Sequence, residues 1–216
     1  MSANRKPLTI SKPGLLLCEG EDEVKFFNAW FFDLNITDVQ VIAYEGKARL
    51  ATFLTDVVKL KGFNLVNRAG IIRDADEDAS GALQSVEYAL AQAPDELRQH
   101  NPKIFVLPGD GKPGALESLW LASLEGSPME TCVEDFFRCA ETKGWKPSDT
   151  FAKNDKARAQ LWIATKEVPN ERFGLAAWHG RKDMDKPWMQ EKWVDFDHSC
   201  FAPLKAFLLG TFASPN

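Results

Sequence analysis

Residues 14–32, GLLLCEGEDEVKFFNAWFF, hold the junction on which the fold turns. Gly14-Leu15-Leu16-Leu17-Cys18 is a short continuous apolar run, the pattern of a strand buried on both faces. From Glu21 to Phe32, apolar residues recur at Val24, Phe26, Phe27, Trp30 and Phe31, which is the spacing of an amphipathic helix. A strand that passes at once into a helix opens a βα unit.

The alternation continues down the chain. Val39-Gln40-Val41-Ile42-Ala43-Tyr44 is β-branched and strand-like. Leu50 to Leu60 carries apolar residues at Leu50, Phe53, Leu54, Val57, Val58 and Leu60, a helical period. Ala69-Gly70-Ile71-Ile72 runs as a third strand into Arg73-Asp74-Ala75-Asp76, and Ser80 to Ala91 is helical, with Pro94 beyond it. Ile104-Phe105-Val106-Leu107 is a fourth strand, stopped by Pro108-Gly109-Asp110-Gly111. This order predicts an α/β fold with a small parallel sheet flanked by helices. From Leu116 the pattern turns helical and irregular. Helices are expected over Glu130–Lys143, Asp155–Lys166 and Phe201–Leu209, while 180–197 is polar, aromatic-studded and aperiodic. The expected organisation is an α/β core over 1–125 and a mainly helical C-terminal region over 126–216, packed on the core as one unit.

Of 216 residues, 44% are apolar and 26% charged, so disordered and fibrous classes are excluded. A domain of this length buries a core without disulfides or a structural metal. Lys and Arg number 26 against 31 Asp and Glu, a formal charge of −5 that excludes a histone-like polyanion coat but leaves a local basic groove open. No apolar run approaches the roughly 20 residues of a membrane-spanning helix. Residues 1–12 lack the apolar stretch of a signal peptide. Cys18, Cys132, Cys139 and Cys200 are widely spaced, with no Cys-x-x-Cys pair. Reduced thiols, a cytoplasmic location and no membrane contact are therefore expected.

In an open parallel sheet, ligands bind beyond the carboxyl ends of the strands. Here the first strand ends in Glu19-Gly20, the third in Asp74-Ala75-Asp76, and the fourth in Pro108-Gly109-Asp110, with Glu117 shortly after. Carboxylates sharing a site raise one another's pKa unless a cation neutralises them. Oxygen donors alone suit a hard divalent cation, Mg²⁺ (or Mn²⁺). His100, His179 and His198 are too scattered for zinc.

Glu19-Gly20-Glu21-Asp22 after one hydrophobic strand, and Asp74-Ala75-Asp76 after another, resemble the Toprim domain of topoisomerases, primases and related nucleases. That family carries Glu-Gly-x-x-Asp after its first strand and Asp-x-Asp after its third. Gly114-Ala115-Leu116-Glu117 is similar to a segment of the Toprim nucleases of the overcoming-lysogenization-defect type. The Toprim resemblance covers Leu15 to Glu117. A wider resemblance, to small stand-alone bacterial Toprim-like proteins, takes in the Trp-rich region and a final helix from Asp195 to Phe212. Each motif is short, and the specificity lies in their order, spacing and placement at strand ends.

The resemblance implies Mg²⁺-dependent phosphoryl transfer, with phosphodiester bonds of DNA or RNA as the substrate. Asp74 and Asp76, alternating along an extended segment and so facing one side, would hold the metal. Glu117 or Asp110 would complete one or two sites. Glu19 would serve as general acid or base, or else as a bridging ligand. Asp22 and Asp78 are further acidic positions, each equally suited to the first turn of a helix, and Asp110 equally suits a turn. Lys47, Arg73 and Lys156 are candidate phosphate or substrate contacts, although a solvated charge is the commoner role for each. Trp162, Trp178, Trp188 and Trp193 are expected to fill core rather than stack on bases. The alternative is a metal- or nucleotide-binding interaction module without catalysis, which needs no Lys/Arg groove beside the carboxylates. Homo-oligomerisation is compatible with either.

Overall fold

All four expected strands form in the computed structural model, which describes residues 7–146, 148, 151–164 and 194–213. They are β1 (Gly14–Cys18), β2 (Val39–Ala43), β3 (Arg68–Asp74) and β4 (Lys103–Leu107). They pair in parallel in the order β2-β1-β3-β4, with Leu16 opposite both Val41 and Gly70. The helices are α1 (Glu21–Asp33), α2 (Leu50–Val57), α3 (Ala79–Ala91), α4 (Asp95–Arg98), α5 (Leu116–Ala122), α6 (Pro128–Thr142), α7 (Phe151–Ala164) and α8 (Ala202–Phe212).

Strand alternation sorts the core into two layers. Leu16, Cys18 and Ile72 pack with Phe26, Phe27 and Trp30 of α1, with α5, and with Leu204, Leu208 and Phe212 of α8. Leu15, Leu17, Ala69 and Ile71 face the other way, toward α2 and α3. β1 is buried along its whole length, which explains its unbroken apolar sequence. The chain leaves β1 for β2 through α1 on one face, then crosses to β3 through α2 on the other. The strand order therefore reverses between β1 and β3, the position where open α/β sheets bind ligands.

Several boundaries move from their expected places. α2 stops at Val57 because turns close at Lys59 and Leu60, and left-handed Gly62 (φ 88°) starts a 3₁₀ turn over Phe63–Leu65. α7 begins at Phe151, ahead of the expected Asp155, which places Lys153, Lys156 and Arg158 in its first turns. Trp162 does fill core, meeting Trp120 edge-on at 5.0 Å. Trp178, Trp188, Trp193, Lys166 and the stretch 180–193 lie outside the described residues. All four cysteines are free, and Cys18 is buried. Among the described residues, no helix is long and apolar enough to cross a membrane.

α8 closes the α1 face of the sheet. Phe212 meets Phe31 edge-on at 5.4 Å, and a Cβ on Gly70 would lie 3.1 Å from the Phe212 ring, so the bare glycine makes room for it. The Arg68 guanidinium donates to the Phe212 carbonyl and pairs with Asp38 at 2.5 Å, tying the end of α8 to the sheet. Truncating Phe212, which is fully buried, removes a large ring from this layer. Phe212→Ala is expected to lower stability by about 3–5 kcal/mol. Urea unfolding followed by circular dichroism should show the midpoint shift within one transition, since α8 shares the core of the sheet.

Candidate functional site

Backbone pairing continues past the ends of β1 and β2. Tyr44 N–H donates to the Cys18 carbonyl at 2.8 Å, and Gly46 N–H to the Glu19 carbonyl at 3.0 Å. Glu45 (φ 60°) and Gly46 (φ 100°) then turn the chain through the left-handed region. The turn brings Lys47 N–H to 3.3 Å from Glu19 Oε1. The other oxygen of this carboxylate, Oε2, is buried and has no hydrogen-bond partner among the described residues.

The end of β3 is held by β4 and the loop after it. Ala75 N–H donates to the Leu107 carbonyl at 2.9 Å, and Asp76 exchanges two main-chain hydrogen bonds with Gly114, at 2.9 and 2.7 Å. Gly114 has φ 135°, and a Cβ there would lie 2.6 Å from Ser118 Oγ, so this crossing point requires glycine. Asp74 Oδ1 accepts the Leu116 N–H at 3.2 Å, which pins it to the start of α5. Ser118 Oγ accepts the Ala115 N–H at 3.0 Å and lies 2.5 Å from Asp155 Oδ2, joining α5 to α7.

A cavity of about 690 Å³ opens between these ends. Glu19 from β1, Asp74 from β3 and Glu117 from α5 line it, together with Glu21, Asp22 and Glu23 of α1 and Glu45 after β2. Among the described residues, Lys153 and Lys156 of α7 are the cations in its lining. Lys156 Nζ lies 3.7 Å from Glu117 Oε1, whose side chain is only 8% exposed. Asp22, beside the mouth, pairs with Lys25 at 3.7 Å.

The remaining expected residues lie elsewhere. Asp76 (φ 52°) breaks the extended backbone, so it does not share a side with Asp74; it accepts the Lys47 ammonium at 2.8 Å and is absent from the lining. Arg73, one residue before Asp74, projects to the opposite face of the sheet. It is 8% exposed there, with Nη1 3.5 Å from Ser85 Oγ and Nε unpartnered. Asp78 caps α3 by accepting the Gly81 N–H at 2.9 Å. Asp110 (φ 55°) is exposed in the β4–α5 loop and does not reach the cavity.

Glu23 was not singled out by the sequence reading. It stands four residues after Glu19, one helical turn across the Gly20 cap, and that spacing was the available signal. Burial pushes its carboxyl up to about 7, with Glu117, Glu19 and Asp22 adding repulsion against an opposing backbone hydrogen bond. Burial also holds Asp74 well above the carboxylate range, reinforced by Glu23, Glu117, Glu19 and Asp76. Glu117 is raised by burial too, but its backbone hydrogen bond and Lys156 oppose the shift.

Among the described residues, no three His, Cys, Asp or Glu side chains gather tightly enough to hold a metal as they stand. The carboxylates ring the cavity rather than meet at one point. Their chemistry nevertheless fits a hard divalent cation: all donors are oxygen, and Glu19 Oε2 is a buried acceptor with nothing to accept from.

These shifts fix a pH dependence. Glu23 binds its proton more tightly in the fold than in the unfolded chain, so its neutral form stabilises the protein at low pH. That stability is lost as pH rises from the ordinary glutamate value of 4.5 to about 7. With chelator present, wild type should lose stability across this window in urea melts. Glu23→Gln should match wild type near pH 4.5 and exceed it at pH 7.5; an unchanged slope would place the proton on another group.

Residues 13–213 match the family described as Protein of unknown function (DUF3226). No curated protein and no solved structure matches the chain. The matched span takes in the whole sheet, every carboxylate of the cavity and all of α8, and the chain belongs to the DUF3226 family.

Proposed function

We propose that this protein is a Toprim-related, Mg²⁺-dependent enzyme of phosphoryl transfer that hydrolyses phosphodiester bonds of DNA or RNA. The observation that carries this reading is the convergence of Glu19, Asp74 and Glu117, from three separate elements, on one cavity at the point where the strand order reverses. Among the described residues, seven carboxylates face two lysines in that cavity, a balance that favours a bound cation. Glu19, Asp74 and Glu117 would hold the cation. When bound, it polarises a phosphoryl oxygen and stabilises charge on the leaving oxygen.

The chain's own residues supply the rest. Lys156, beside Glu117, and Lys153 present ammonium groups to a phosphate entering along α7. The Ser118–Asp155 contact holds that helix against α5, so the lysines keep their distance from the carboxylates. Glu23, pushed up to about 7, is suited to take or give a proton near neutral pH. This moves the acid/base role from Glu19 to its neighbour one turn on and leaves Glu19, with its unpartnered oxygen, to the cation. The free cysteines suit a reducing, cytoplasmic setting.

Millimolar Mg²⁺ or Mn²⁺ should raise the melting temperature in calorimetry, since a ligand at 100 times its Kd adds about 2.7 kcal/mol. Turnover should be assayed on single- and double-stranded DNA and RNA with the cation present. Asp74→Asn and Glu19→Gln should lose metal affinity and turnover together. Glu23→Gln should keep most of the affinity while losing about 10²–10⁴ in rate and one limb of the pH profile. Loss of metal binding in Glu23→Gln would make it a ligand instead. Metal binding with no turnover on any nucleic acid would leave a cation-binding module in place of the enzyme.

A further inference from the structure

Among the described residues, Arg73 and Glu117 are the most deeply buried that carry charge. Glu117 has the Lys156 ammonium beside it, whereas no described carboxylate pairs with Arg73. Its Nη1 donates to Ser85 Oγ over a long 3.5 Å, and its Nε–H finds no acceptor among the described residues. Asp76 and Asp78, which follow it in the chain, are engaged with the Lys47 ammonium and the Gly81 N–H. Lys47 is near enough for the Arg73 charge to repel its ammonium, so positive charge is crowded at this end of the α2/α3 face. A buried guanidinium without a counter-charge is costly, and proteins rarely keep one unpaired. Ser85 is exposed, so the tip of the Arg73 side chain reaches the protein surface at α3, where an anion from outside the chain can meet it.

We propose that Arg73 and Ser85 form an anion subsite on the α2/α3 face of the sheet, which takes a phosphate group carried by a phosphomonoester or free in solution. A planar guanidinium offers paired N–H donors to two phosphate oxygens, and the Ser85 hydroxyl donates to a third. A carboxylate ligand would use the paired donors alone and leave that hydroxyl idle. The Lys47 charge adds to the attraction without contact. This subsite is separate from the cation-dependent reading above. It lies across β3 from the carboxylate cavity, and it needs no metal to make it attractive to an anion.

The test is a phosphate titration of the full chain with EDTA present, followed by melting temperature. Sodium chloride and sodium acetate at matched ionic strength run alongside, and phosphate should stabilise wild type beyond both. Arg73→Met should weaken the phosphate Kd about tenfold or more, and exposed Ser85→Ala about two- to tenfold, the scales of charged and neutral hydrogen bonds. In phosphate-free buffer Arg73→Met should melt no lower than wild type, because it removes a buried charge that has no partner. A phosphate response no larger than that to acetate or chloride, or one that survives in Arg73→Met, overturns the proposal. So does a lower-melting Arg73→Met combined with an unchanged response in Ser85→Ala. Loss of the response in Lys156→Met instead puts the phosphate in the carboxylate cavity and overturns this inference alone. The source is read from fluorescence anisotropy of an oligonucleotide with a 5′-phosphate and of its 5′-hydroxyl counterpart. A preference for the phosphorylated end that Arg73→Met abolishes assigns the subsite to a strand terminus; equal binding of the two, with the phosphate response intact, assigns it to the free anion.

Discussion

At the ends of β1 and β3, Glu19 and Asp74 leave adjacent buried strands, and the sheet spacing of about 4.8 Å limits how far apart their backbones can move. Leu17 lies opposite Ile71, so the register carried forward sets the two carboxylates within one residue step of each other. Neither strand can shift by one residue without exchanging its side chains between the two packed layers. The repulsion must therefore be answered locally, by donors, cations or protons. The Leu116 N–H serves Asp74 and the Lys47 N–H serves Glu19, while ammonium groups stand beside Asp76 and Glu117. Burial, reinforced by the repulsion these leave unanswered, raises the pKa of Glu23 and Asp74.

The loops at this end of the sheet are shaped by the same constraint. Glu45, Asp76 and Asp110, none of them glycine, adopt left-handed backbones here. Such residues are uncommon and concentrate where function overrides local preference. Two of the three have a visible purpose: Glu45 turns the Lys47 N–H toward Glu19, and Asp76 locks the β3 loop to Gly114. At the other end of the sheet, Arg68 spans Asp38 and Phe212, and Asn35 and Asn101 take left-handed backbones in the turns ahead of β2 and β4.

The sequence made the strands and the placement of Glu19, Asp74 and Glu117 legible, because burial on two faces leaves unbroken apolar runs whose ends can be read directly. Asp76 was misplaced because an extended backbone was assumed one residue too far; left-handed conformations depend on partners such as Gly114 that sequence spacing does not show. Arg73 follows the opposite logic, since adjacency to Asp74 along a strand guarantees separation in space. Asp78 satisfies the amides that open α3, a role that residue type alone does not distinguish from metal binding. Glu23 was within reach, because four residues after a strand-end glutamate is one turn of the helix that follows. Lys153 and Lys156 gain their place from the α5–α7 contact, a long-range packing event.

Since α8 lies on β3 and β4 with Phe207 against Phe105 at 5.3 Å, the α1 face of the sheet is completed by a helix synthesised long after the strands it covers. At about 5–20 residues per second, β3 waits for roughly ten seconds after it is made before α8 exists to cover it. During that interval Leu16, Ile72 and Phe105 have α1 and α5 beside them but lack the cover of Leu204, Leu208 and Phe212. A release one helix too early would yield a sheet with the whole carboxylate cluster assembled and its hydrophobic back exposed.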